Sequence, residues 1–139
     1  MKKKFTILLL AVVATGFILC GCGSPPDLKG TWRQVNSNSD TTWQEATITD
    51  STITINWISN NGDTSMLYWE GSYTAPTSTD TPYTWTSNGD TEKMSQSVLG
   101  SVDPTKDITY DGKQITYTTT SMGISMTVKL ENKIKNTLR

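Results

Sequence analysis

The chain has 139 residues and a formal net charge of −1; residues 1–21 read as a removable leader, leaving 118 residues with 13 acids against nine bases. That negative surplus argues against binding nucleic acid through phosphate neutralisation. Leu, Ile, Val and Phe supply only 17 of the 118, so the core must be thin, and the absence of histidine excludes Ser-His-Asp and Cys-His triads and imidazole metal sites.

Lys2, Lys3 and Lys4 open the leader, an apolar run follows over residues 5–19, and small residues close it, the layout of a secretory signal. The 15-residue run is short for a membrane span. It ends on Leu19-Cys20-Gly21-Cys22, which resembles the lipobox of bacterial lipoproteins: an aliphatic residue three before the modified cysteine and a small one directly before it. Cys22 meets both conditions through Leu19 and Gly21, whereas Cys20 directly follows Leu19 and does not. The resemblance implies that Cys22 carries a diacylglyceryl group, becomes the mature N-terminus and anchors the chain to the outer face of the cell membrane. An ordinary cleaved signal followed by a free secreted domain is the alternative. With Cys22 acylated and Cys20 discarded, disulfides, thiolate nucleophiles and thiolate zinc sites are all excluded. The linker over residues 22–27 is short, and residues 23–27 reach about 17 Å at full extension. The domain over residues 28–139 is therefore expected close to the bilayer.

Beyond Leu28 the sequence alternates apolar and polar residues and is punctuated by Gly, Asn, Asp and Pro, which predicts an all-β chain. Strands are expected over 28–35, 43–49 and 53–57, the last with Ile53, Ile55 and Trp57 opposite Thr52, Thr54 and Asn56. Residues 67–73, 82–87, 93–99, 106–110 and 115–119 follow. In the last strand Ile124, Met126, Val128 and Leu130 share a face opposite Ser125, Thr127, Lys129 and Glu131. Turns are expected at Asp50-Ser51, Asn61-Gly62, Asp111-Gly112 (type I′) and Met122-Gly123. Loops are expected over 74–81 and 100–105. About eight short strands with short turns predict an antiparallel meander closing into a small barrel, with a two-sheet sandwich as the alternative. Trp57-Ile58-Ser59-Asn60-Asn61-Gly62-Asp63-Thr64 faintly echoes Trp85-Thr86-Ser87-Asn88-Gly89-Asp90-Thr91, as two equivalent strand-turn corners would, but the turn preference of Asn-Gly-Asp is enough to account for it.

No catalytic residue and no cofactor is predicted. A glycosidase-type carboxylate pair would draw on Glu45 and Glu70, both within predicted strands, but a solvated strand face accounts for them. Asp63, Asp90, Asp103, Asp107 and Asp111 lack the spacing of a calcium loop, so turn formation explains them and no metal site is expected. All ten aromatic residues after the leader are Trp or Tyr, with large apolar area and a polar tip. Most are expected to build the core, while Trp43, Trp57, Trp69, Trp85, Tyr68 and Tyr83 are the candidates for a barrel mouth or recognition patch.

Gly30-Thr31-Trp32, opening the first predicted strand, resembles the Gly-x-Trp signature of lipocalins and the wider calycin group. The resemblance implies a small barrel whose base is closed by Trp32 as a structural plug, with Arg33, Lys133, Lys135 or Arg139 supplying a cation stacked on it. Lipocalins carry a C-terminal helix, whereas no helix is expected here after Leu130, and the basic tail over 129–139 reads as a frayed end. The length is nearer that of avidin-like and fatty-acid-binding-like barrels. The expected function is a non-enzymatic, membrane-anchored binding protein for a small apolar ligand or a protein partner. The plan also resembles lipoproteins of resident phages that exclude a competing phage, which need no pocket. A carbohydrate-active enzyme using Glu45 or Glu70 is the third reading.

Overall fold

The computed structural model describes residues 23–138. The Thr-, Ile-, Trp- and Tyr-rich segments form eight strands, as β-branched and aromatic residues favour a pleated, half-buried surface. In chain order these are β1 (Gly30–Gln34), β2 (Trp43–Ile48), β3 (Thr52–Ser59), β4 (Thr64–Ser72), β5 (Tyr83–Asn88), β6 (Thr105–Tyr110), β7 (Gln114–Ser121) and β8 (Ile124–Asn132). Two five-residue helices, α1 (Thr91–Ser95) and α2 (Lys133–Thr137), follow β5 and β8. All pairings are antiparallel, in the spatial order β4-β3-β2-β1-β8-β7-β6-β5. The sheet curls until β4 and β5 meet, giving the expected small all-β barrel.

Alternation carries the core to the axis. Trp32 and Gln34 of β1, Gln44, Ala46 and Ile48 of β2, Ile53 and Ile55 of β3, Ile108 and Tyr110 of β6, Ile115 and Tyr117 of β7, and Val128 and Leu130 of β8 are all buried. Two-residue steps leave their neighbours on the outer wall. Between Ile55 and Asn56 the β3–β4 register shifts, which adds Tyr68 to β4 and lets the consecutive Tyr68 and Trp69 both be buried.

The seam between β4 and β5 has a single backbone bridge, Gly71 to Gly89, and the rest is sealed by other means. The amide of Asp90 donates to the carbonyl of Glu70 at 2.8 Å, and that of Asn88 to Ser72 Oγ at 2.9 Å. The segment after α1 covers the upper edge of β4, with Ser97 Oγ donating to the Leu67 carbonyl and the Ser101 amide to the Tyr68 carbonyl. Tyr83 Oη donates to the Thr74 carbonyl lower down. Unpaired edge groups are thus covered without a full ladder.

Three local expectations are corrected. Residues 93–99 are not a strand: Asp90 caps α1 by accepting from the Lys93 amide at 3.0 Å, which starts a helix there. The tail does not simply fray, because Asn132 caps α2 by accepting from the Ile134 amide. At the β6–β7 turn the Asp111 amide bonds the Gln114 carbonyl around Gly112 and Lys113, and Gly112 alone of these has positive φ, the type II′ pattern in place of type I′. At Met122-Gly123 both central residues have positive φ, as a type I′ turn requires. The Asn-Gly-Asp echo reflects turn formation alone: Asn60, Asn61 and Gly62 all have positive φ in the β3–β4 hairpin turn, while Asn88-Gly89-Asp90 opens α1.

Candidate functional site at the barrel mouth

The up-and-down topology gives the barrel two distinct ends. At the base lie Gly23 to Lys29, the β2–β3, β4–β5 and β6–β7 connections, and α2. Trp32 is buried near this end, its Nε1 donating to the Leu28 carbonyl at 2.8 Å and its ring meeting Tyr110 edge-on at 6.0 Å. The stacked cation expected on Trp32 is elsewhere: the Arg33 guanidinium lies 3.8 Å from the ring centre of Trp43 on the outer wall. Strand alternation puts Arg33 and Trp32 on opposite faces of β1, so stacking within that strand is geometrically closed. Lys133 instead pairs with Glu45 at 3.3 Å. Arg139 and Cys22 lie outside the described residues.

At the opposite end, the mouth, lie the β1–β2, β3–β4, β5–β6 and β7–β8 connections. Of the six aromatic candidates, Trp57 and Tyr68 come together there, their rings edge-on with centres 6.4 Å apart. They line a cleft of about 420 Å³ with Val98, Leu99, Val102, Asp103, Thr119 and Met122. The other four are placed apart from it. Trp69 is wholly buried at the seam and donates to Ser87 Oγ at 3.0 Å. Trp85 is buried between Tyr73, edge-on at 5.2 Å, and Tyr83, stacked at 5.8 Å. Trp43 packs on the outer wall beneath Arg33.

Below the cleft sits a polar layer that sequence reading missed. Lys106 is 6% exposed; its Nζ donates to the Thr118 carbonyl at 3.0 Å and lies 3.7 Å from Asp103 Oδ2. The rings of Trp69, Tyr68 and Tyr117 surround the ammonium at 5.1, 5.3 and 6.0 Å, so cation–π attraction offsets part of its desolvation. Tyr117 Oη donates to Gln44 Oε1, and the Gln44 amide donates to Gln34 Oε1 at 2.9 Å. Burial pushes the Tyr117 phenol well above its ordinary range. The signal was present in the alternation: Lys106 shares a face with Ile108 and Tyr110, and Gln44 with Ala46 and Ile48.

The rim is strongly apolar. Val98 and Val102 are 94% exposed and Met122 fully so, with Ile124, Met126 and Leu99 beside them. Ile124 and Met126 do lie on the expected face of β8, but beyond the part of the strand that pairs with β1: Ile124 stands in solvent, and Met126 lines a shallow pocket with Gln34, Asn36 and Trp57. Glu45 and Glu70 are both on the outer wall, alternating with inward Ala46 and Trp69, and each is held by a lysine, Lys133 and Lys93. They do not oppose each other across a cleft. Among the described residues, no group of three or more acids, histidines or cysteines is placed to hold a metal. No helix among them is long and apolar enough to cross a membrane.

No family model matches the chain. No curated protein or solved structure matches it either. The functional reading rests on its own geometry.

Proposed function

We propose that this chain is a non-enzymatic, lipid-anchored binding protein of the extracytoplasmic membrane face that recognises a protein partner with its barrel mouth. The observation that carries this reading is where the apolar surface goes. Trp32, Trp69, Trp85, Tyr110 and Tyr117 fill the barrel axis, while Val98, Val102, Met122 and Ile124 stand in solvent at one rim. Contiguous exposed apolar side chains of this kind mark interaction surfaces. An anchor on Cys22 joins the base, since Pro25 and Pro26 lie there beside Lys29, Asp50 and Tyr73. The mouth then points away from the bilayer, toward whatever approaches the membrane.

A small apolar ligand is the second reading, favoured by Trp57, Tyr68, Leu99 and Met122 lining one cleft. Native mass spectrometry of the chain purified from its host membrane separates the two. A mass equal to the acylated chain alone supports surface recognition; a stoichiometric small-molecule adduct, lost on Trp57→Ala, assigns the cleft to a ligand. The anchor has its own test: Cys22→Ser is expected to release the chain into the medium, and unchanged membrane retention refutes the tether.

A further inference from the structure

Charge is sorted between the two ends of the barrel in the same way as apolar surface. The connections that reach the mouth, residues 35–42, 60–63, 97–104 and 122–123, contain Asp40, Asp63 and Asp103 and no lysine. Asp103 lies 3.7 Å from Lys106, while Asp90, Glu92 and Lys93 open the β5–β6 connection lower on the wall, where Lys93 pairs with Glu70 at 2.7 Å and Asp90 lies by Ser51 and Thr52. The base segments, residues 23–29, 49–51, 73–82, 111–113 and 133–138, contain four acids and four lysines and are balanced. Asp40 and Asp63 are exposed and belong to none of the five described ion pairs. The mouth therefore presents an apolar centre bordered by uncompensated negative charge.

Resting on the mouth-recognition reading above, we infer that the partner presents a polypeptide segment with apolar side chains flanked by lysine or arginine. An apolar contact with a charged border is the anatomy of a protein interface, and complementary charge steers the encounter and rejects partners of the wrong sign. The same field argues against two other occupants. Two mouths facing each other would bring acids against acids, which disfavours a second copy of this chain. An anionic bilayer would repel the mouth, which disfavours a lipid surface and keeps the base toward the membrane.

The test is selection of a random displayed-peptide library on the full chain held by its N-terminal end, followed by calorimetric titration of the recovered peptides. The expected peptides place Lys or Arg beside Leu, Ile, Phe or Trp, and bind more weakly as salt rises. Val98→Ser with Met122→Ser is expected to weaken them by about tenfold or more, a change of ~1.4 kcal/mol. Asp40→Asn with Asp63→Asn is expected to weaken them at low salt and to flatten the salt dependence. Neutral or acidic peptides that still need Val98 and Met122 overturn the cationic partner and leave mouth recognition standing. Peptides indifferent to both sets of variants, or no selected peptide, overturn both readings. Self-association in sedimentation that Met122→Ser abolishes assigns the mouth to a second copy and overturns the inference.

Discussion

Gly71 and Gly89 make the single backbone bridge of the seam because nothing larger fits there. A Cβ on Gly71 would lie 2.4 Å from Ser87 Oγ and 2.7 Å from the Asn88 carbonyl; one on Gly89 would lie 2.8 Å from the Trp69 ring. Gly71→Ala must therefore spread the seam and disturb the Trp69–Ser87 hydrogen bond. The expected cost is about 1–3 kcal/mol, read as a lower urea midpoint. Neither glycine was legible as a seam residue, because the partner that makes each one necessary is distant in sequence. The tyrosines provide a second prediction. Burial raises the Tyr73 phenol to about 12 and pushes Tyr83, Tyr110 and Tyr117 up as well. The folded state thus favours the neutral phenol more than the unfolded state does. Its contribution is full below the unfolded pKa near 10.0 and drains away as pH rises from there toward about 12. Tyrosinate absorbance is expected to rise together with loss of the β-sheet circular dichroism signal, and ionisation well before unfolding would contradict the buried placement.

At the scale of elements, short-range chemistry was readable wherever a strand was long enough to alternate. Residues 53–57, 115–119 and 124–130 fall inside β3, β7 and β8. The segment over 93–99 defeated the same reasoning, because a five-residue helix shows too little of its 3.6-residue period to compete with scattered apolar residues. Its legible signal was Asp90, three positions before the amide it caps. Asp90→Ala is expected to cost about 1 kcal/mol. Hydrogen exchange should accelerate over 91–101 while β7 and β8 stay protected, since this segment covers the upper edge of β4 without forming part of the ladder. The last strand shows the reverse case, a correct face with an incomplete burial. Val128 and Leu130 are wholly buried, but Ile124 is 73% exposed because its end of the hairpin extends beyond the pairing with β1.

At the scale of the molecule, apolar surface divides into a filled axis and an open rim, and the two should respond differently to substitution. Val98→Ser with Met122→Ser is expected to shift stability by less than about 0.5 kcal/mol, because both side chains are already in water. Trp69→Ala is expected to cost about 3–5 kcal/mol by opening a cavity where the seam closes. Thermal unfolding of both variants checks the division. A large loss from the rim variant would mean that Val98 and Met122 support the fold. The two ends also differ in charge: the base is balanced, and the acidic, apolar mouth lies across a barrel on the order of 20 Å tall.

The amino-acid sequence alone determined the class of the fold and most of its strands, because period-two alternation and the turn preferences of Gly, Asn and Asp act over a few residues. Tertiary structure decided which aromatic residues are interior and which meet at the mouth. It also decided that Arg33 serves Trp43 in place of Trp32, and that Lys106 is enclosed by Trp69, Tyr68 and Tyr117. Those outcomes depend on barrel closure, which brings β4 to β5 and α1 to β4. Closure is a long-range event. A local pattern can say that a residue faces inward, but only the ring of eight strands fixes whether anything lies above it.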